Sequence, residues 1–137
     1  MTEKRGGWQG SAALLCWLAL ALAMAAWAER ALCRRYLVAG HSMEPTIRDG
    51  DWVLVDATAY TARRPRIGDV VVASDPRERA RAVFKRVARR NPNGVWLLGD
   101  SPQQSTDSRD FGWVSDEAVI GRAWFRYWPP GEFGFIH

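Results

Sequence analysis

Cysteine, histidine and lysine are scarce in this chain of 137 residues, with two of each against seventeen arginines. Each scarcity closes a class of function. Cys16 and Cys33 form no CxxC pair and no Cys/His cluster occurs, so neither a metal site nor a cofactor is expected. On a continuous helix the two thiols would stand about 25 Å apart, too far for a disulfide. The histidines are His41 and His137. His41 adjoins Ser42, and neighbouring side chains on extended backbone point to opposite faces. His137 is the last residue, where chains tend to fray. A Ser/His/Asp triad is therefore poorly supplied. The net charge of +4 comes from arginine, but no aromatic-interleaved basic stripe or groove-reading helix accompanies it. Nucleic acid is not an expected partner.

Charge is missing altogether from Ser11 to Ala28, "SAALLCWLALALAMAAWA". As a helix that run covers about 27 Å, close to the roughly 30 Å of a bilayer's hydrocarbon. The chain is accordingly expected to comprise a short tail over residues 1–10, a transmembrane helix over 11–28, a juxtamembrane linker over 29–35 and one soluble domain over 36–137. Ala26-Trp27-Ala28 has the small-x-small form of a signal-peptide cleavage site. The uncharged run exceeds the usual signal-peptide core, however, and Trp17 and Trp27 suit interfacial positions, so a retained single-pass anchor with the lipid bilayer as partner is the expectation.

After Arg35 the helical period gives way to short β-type runs at 36–39, 51–57, 69–74, 82–88, 95–99 and 119–128. Turn residues separate them, and three runs begin or end at a Gly-Asp pair, at 50/51, 68/69 and 99/100. Glycine there can supply a backbone conformation that other residues avoid. An all-β domain behind one transmembrane helix is predicted. Of eight tryptophans, Trp124 and Trp128 fall in the last run with Tyr127, followed by Phe133 and Phe135. These aromatics suit either a surface that dips into a membrane interface or core packing.

The stretch "VAGHSMEPTIRDGDWVLVD" sets Ser42 where a strand is about to turn. What could activate its hydroxyl is the question. Arginine stays charged at any working pH, whereas a buried lysine can lose its proton. Lys85 is the only lysine in the soluble part. In "AVFKRVA" the two-residue period places Val83, Lys85 and Val87 on one face, with Phe84 and Arg86 on the other. A lysine flanked by valines on an inward face should have a lowered pKa and can serve as a base. The alternative is a lysine on a solvated strand face.

"GHSMEPTIRDGD", "RPRIGDVVV", "FKRV" and "LGDSPQQSTDSRDFGWV", followed by "IGRA", resemble in that order the boxes of the type I signal peptidases, membrane-anchored Ser/Lys proteases. The resemblance spans almost all of residues 36–128 and implies signal-peptidase-like antiparallel sheets. It makes Ser42 the nucleophile and Lys85 the general base, with the Ser42 amide as oxyanion donor. Some relatives add a serine hydroxyl two residues before the nucleophile; Gly40 stands there in this chain, so that second donor must come from elsewhere. Ser105 matches the position that orients the lysine amine, and Asp107 and Arg109 match a charged pair that braces the site. Gly40, Met43 and Pro45 fall at the turn and substrate-binding positions.

Implied substrates are precursor proteins, cut after small residues to remove signal peptides or propeptides, with the catalytic domain extracytoplasmic. The segment "WLLGDSPQQSTDSRDFGWV" and the closing "RYWPP" also resemble the maturation proteases of nickel-containing superoxide dismutase, which act on a cytoplasmic precursor. Lys4 and Arg5 before the run and Arg30, Arg34 and Arg35 after it leave both orientations open. From another class, a non-catalytic membrane-tethered β module would make Ser42 and Lys85 incidental.

Overall fold

The computed structural model describes residues 8–137, and within its N-terminal helix the side chains of residues 13–28. Lys4, Arg5 and most of the short tail lie outside the described residues, as does the side chain of Arg30. The chain divides into two units, Met1–Leu32 and Cys33–His137.

In the first unit, helix α1 runs from Trp8 to Leu32. Alanine and leucine, the best helix formers, fill most of it, and no proline interrupts it. Leu14, Leu15, Trp17, Leu18, Leu20, Leu22 and Met24 are all exposed and, at 100° per residue, point to every side. Among the described residues no helix is long and apolar enough to cross a membrane.

The second unit is one antiparallel sheet. Its strands are β1 (Cys33–Leu37), β2 (Trp52–Asp56), β3 (Val70–Asp75), β4 (Glu78–Asn91), β5 (Gly94–Leu98), β6 (Val119–Trp128) and β7 (Gly134–Phe135). They lie in the order β1-β2-β6-β3-β4-β5, with β7 on the edge of β6. Every β-type run of the sequence overlaps a strand, although β1 begins at Cys33, inside the segment expected as a linker, and ends at Leu37 before its run does. Two features were not legible. The two-residue β7 is too short to show a period, and β4 begins at Glu78, ahead of its apolar run, because its first residues are charged and exposed.

That early start matters. Val83 to Arg86 pair with Ala73 to Val70 on β3, whereas β5 joins β4 only from Arg86 onward. Residues 78–85 therefore present a free strand edge. The β3–β4 turn is fixed by Asp75, whose carboxylate accepts the Arg77 amide at 2.9 Å.

Strand β3 sits in the interior of the sheet and is buried on both faces, which explains its unbroken apolar run. Val70 and Val72 join a core with Val53, Val55, Phe84 and Ala123. Val71 and Ala73 join a second core on the opposite face, with Val87, Val95, Leu97 and Val114. Lys85 pairs in register with Val71 and shares that second face, while Phe84 opposite Val72 points to the first. The two-residue period thus separates Lys85 from Phe84, yet both are buried.

Between β1 and β2 the chain makes a closed loop over residues 38–51. Its ends are tied by Val38 N–H to Asp51 O at 2.8 Å and Gly50 N–H to Val38 O at 2.9 Å. Gly40, at φ +97°, gives its N–H to Asp49 Oδ1 at 2.7 Å. A Cβ at Gly40 would meet nothing within 4 Å, so backbone conformation and not space calls for glycine there. Met43 and Ile47 drop into the first core from the loop's middle. Ile47→Ala is expected to cost about 3 kcal/mol, measured as a lowered urea midpoint, because the cavity opens under the loop that carries Ser42.

Candidate active site

Ser42 enters the site because the loop that carries it is pinned at both ends and anchored from below. Its carbonyl also accepts the Ser101 N–H at 3.0 Å, tying the loop to the turn after β5. Lys85 comes from the middle of β4 and is 3% exposed. Its Nζ lies 2.8 Å from Ser42 Oγ. As an ammonium the nitrogen donates to the hydroxyl; as a neutral amine it can accept the hydroxyl proton. Burial pushes the Lys85 pKa below the usual lysine value, opposed by the nearby Asp107 carboxylate and assisted by the Arg81 charge.

Asp107 is wholly buried behind this pair. Burial alone would oppose its ionisation, but hydrogen bonds outweigh that and hold its carboxyl well below the usual carboxylate range. Arg109 clasps it with Nε at 2.9 Å and Nη2 at 2.8 Å. The Gly99 amide donates at 3.0 Å and the Ser105 hydroxyl at 2.8 Å. Asp107 also caps the short helix α2 (Ser108–Phe111), accepting from the Arg109 amide while Asp110 accepts from the Asp107 amide.

Ser105 is the residue that the resemblance set to orient the lysine. Among the described residues its hydroxyl donates to Asp107, and the hydrogen bond of Lys85 Nζ is to Ser42. A buried carboxylate is the stronger acceptor for the one hydroxyl proton, which leaves the Ser105 oxygen free to accept.

Gly99 also behaves differently from the other Gly-Asp glycines. Gly50 and Gly68 have positive φ, and Gly99 does not. Its reason is space. A Cβ there would fall 2.2 Å from Ser105 Oγ and 2.5 Å from the Ser42 carbonyl oxygen.

Asp100, which follows, holds a network that sequence reasoning did not single out. Arg86 grips its carboxylate with Nε at 2.8 Å and Nη2 at 2.7 Å. Thr46 Oγ1 donates to the same carboxylate at 2.6 Å. These bonds lower the Asp100 pKa against the effect of its burial. Thr46, Arg86 and Asp100 stand in three separate blocks of the sequence, and no local pattern pairs them.

The remaining expected residues divide. Met43 is buried and lines the cleft beside Ser42, whereas Pro45 is exposed and lies outside it, so Pro45 shapes the loop only. His41 is exposed and its Nδ1 bonds to Glu44 at 2.8 Å. That carboxylate raises the His41 pKa. The end of the chain is not frayed as expected: Ile136 is buried and the His137 carbonyl accepts from Arg86 Nη1 at 3.1 Å. The cleft itself, about 320 Å³, runs between residues 36–43 and residues 81–85. Among the described residues no cluster of metal ligands occurs.

Asp107 gives the site a pH signature. Its stabilisation is complete above the unfolded carboxylate pKa of about 4 and is lost as pH falls through the depressed folded value. Arg109→Ala removes the guanidinium, raises the folded pKa and is expected to move the acid-unfolding midpoint upward. Circular dichroism against pH reads this, and an unmoved midpoint would mean the pair adds nothing.

The family model described as signal peptidase, peptidase S26, matches residues 11–90 and 91–128. Mitochondrial inner membrane protease subunit 1 of Homo sapiens is 32% identical over 120 residues, covering 73% of this chain and 72% of that protein. The probable signal peptidase I-1 of Synechocystis is 26% identical, covering 76% and 79%. Signal peptidase I of Bacillus caldolyticus is 25% identical, covering 73% and 82%. On this breadth of match, the chain belongs to the signal peptidase, peptidase S26, family.

Proposed function

We propose that this chain is a membrane-anchored serine endopeptidase that removes signal peptides or propeptides from precursor proteins, with Ser42 as nucleophile and Lys85 as general base. The observation that carries the reading is the 2.8 Å contact between Ser42 Oγ and the Nζ of a lysine that is 3% exposed. Desolvation favours the neutral amine, and only the neutral amine can take the hydroxyl proton. Ser42 Oγ then bonds to the scissile carbonyl carbon as its proton passes to Lys85. The lysine returns that proton to the leaving amine, which departs and leaves an acyl-enzyme. Water, deprotonated by the same amine, releases the acid and regenerates the hydroxyl.

Oxyanion stabilisation draws on the Ser42 amide, which has no hydrogen-bond acceptor among the described residues. Gly40 supplies no second donor, since its N–H is committed to Asp49. Asp107, Arg109 and Ser105 act as positioning residues: they fix the carboxylate beneath the lysine without touching the substrate.

The free edge of β4 at residues 81–84 and the segment 36–40 flank the cleft, an arrangement that suits an extended peptide. Met43 and Phe84 are buried and line the cleft together with Ser42. The space left to an extended segment is about 320 Å³, which favours small side chains next to the cut.

The anchor reading rests on the uncharged run from Ser11 to Ala28 and the all-round apolar surface of α1. Relatives named as inner membrane proteases agree with it. Leu37, Trp52, Trp128, Phe133 and Phe135 are also exposed. Register pairing of Leu37 with Trp52 and of Trp52 with Trp128 makes a row of three across β1, β2 and β6, the composition of a lipid-interface surface.

The test is cleavage of a preprotein with an Ala-x-Ala site, reading the new N-terminus. Wild type and His41→Ala are expected to cut, and Ser42→Ala and Lys85→Ala to lose about 10³-fold or more. Equal losses in His41→Ala and Lys85→Ala would sink the dyad. Labelling of Ser42 by an acylating inhibitor without cutting would keep the chemistry and assign a dedicated precursor. Because the base must be neutral, kcat/KM is expected to rise with pH through a value below free lysine's pKa of about 10.4.

A further inference from the structure

Most charges around the cleft are matched. The Arg77 guanidinium is held by Asp75, with Nε to Oδ1 at 3.0 Å and Nη2 to Oδ2 at 2.8 Å. His41 is paired with Glu44 at 2.8 Å, and Asp107 with Arg109 at 2.8 Å. Arg81 is the exception. It lines the cleft, is exposed, and has no carboxylate partner among the described residues.

Its place on the strand fixes what it meets. Arg81 lies four residues before Lys85 on β4, beside the irregularity that shifts the β3–β4 register between Ser74 and Asp75, and both residues line the same cleft. Residues 78–85 form the free edge, so an extended peptide that pairs there passes Arg81 on its way to Ser42. At about 3.3 Å per residue the two backbone positions are about 13 Å apart, and a long side chain can reach back toward the reacting centre.

We infer that Arg81 is a specificity-determining residue, selecting substrates with a carboxylate side chain about two to four residues from the scissile bond, on the half that runs along the β4 edge. The inference rests on the peptidase reading above. With Lys85 neutral in the working enzyme, Arg81 is the unmatched positive charge of a half-enclosed cleft, where the surrounding protein screens it less than open water would. A substrate carboxylate meets it with a charge-assisted hydrogen bond, whereas a lysine or arginine at that position meets repulsion. Arg77 cannot serve equally, because Asp75 already occupies its fork.

The experiment is a scan of full-length wild-type enzyme with peptides that share one Ala-x-Ala cleavage sequence. Glutamate or lysine is moved one position at a time through four places on either side of the cut. One position or an adjacent pair is expected to favour glutamate over lysine in kcat/KM by about tenfold. Arg81→Lys should keep that preference, Arg81→Ala should flatten it, and Arg81→Glu should invert it, with neutral peptides still cut by all three. A flat scan, or a preference unchanged in Arg81→Glu, would overturn the assignment while leaving the peptidase intact. Failure of wild type to cut any peptide would overturn the role of Arg81 on such substrates, and if an acylating inhibitor also leaves Ser42 unlabelled it would overturn the peptidase reading as well.

Discussion

A lysine amine held out of water, against a serine hydroxyl, is the condition on which the rest of the domain depends. Lys85 is 3% exposed because β4 is covered on its face by the core of Val71, Val87 and Leu97. Burial lowers its proton affinity, yet the carboxylate of Asp107 stands close enough to restore it. Arg109 clasps that carboxylate with two prongs, so the charge beside the lysine is itself part of an ion pair that also accepts from Ser105 and Gly99.

The second requirement is that the hydroxyl stay where the amine is, and three segments distant in sequence combine to meet it. Lys85 and Arg86 are adjacent on β4 and point to opposite faces, yet both reach the loop of residues 38–51: Lys85 touches Ser42, and Arg86 touches Thr46 at 3.2 Å. Asp100 closes the circle by accepting from both Arg86 and Thr46. The loop is thus gripped on either side of Met43, which is itself fixed in the core. Gly99 lets the three segments approach, since any side chain there would occupy the space taken by Ser105 and the Ser42 carbonyl.

Strands with an apolar or alternating pattern were legible because burial on one or both faces leaves a direct mark on residue choice, as in "DVVVAS" for β3. The start of β4 was not, because an edge that faces a cleft carries the arginines and glutamate of an exposed surface. Ser42 and Lys85 were both identified as site candidates, and the structure brings them together, since few alternatives exist in a chain so poor in histidine and lysine. The partners of Ser105 and Asp100 were out of reach. A hydroxyl with several acceptors nearby, or an aspartate in a turn, has its bond decided by tertiary geometry that no local pattern encodes. Gly99 shows the same limit, since a glycine kept for space looks the same in sequence as one kept for its φ.

The preference for arginine over lysine then acquires a chemical meaning. Arginine keeps its charge at every pH at which the domain is folded, so Arg86, Arg109 and Arg81 can clasp carboxylates or face the cleft without exchanging protons with the reacting centre. Were any of them lysine, a second amine of adjustable pKa would stand within the electrostatic reach of Lys85, and the two would titrate as a coupled set. With fixed charges around it, the proton bound at Ser42 and Lys85 answers to one buried amine. Exposed His41 is paired to Glu44 and makes no hydrogen bond to Ser42 or Lys85 among the described residues. In the proposed mechanism charge and proton transfer fall to different residue types, and Lys85, the single lysine of the β domain, is the one position where the exchange would remove the chemistry and not merely adjust it.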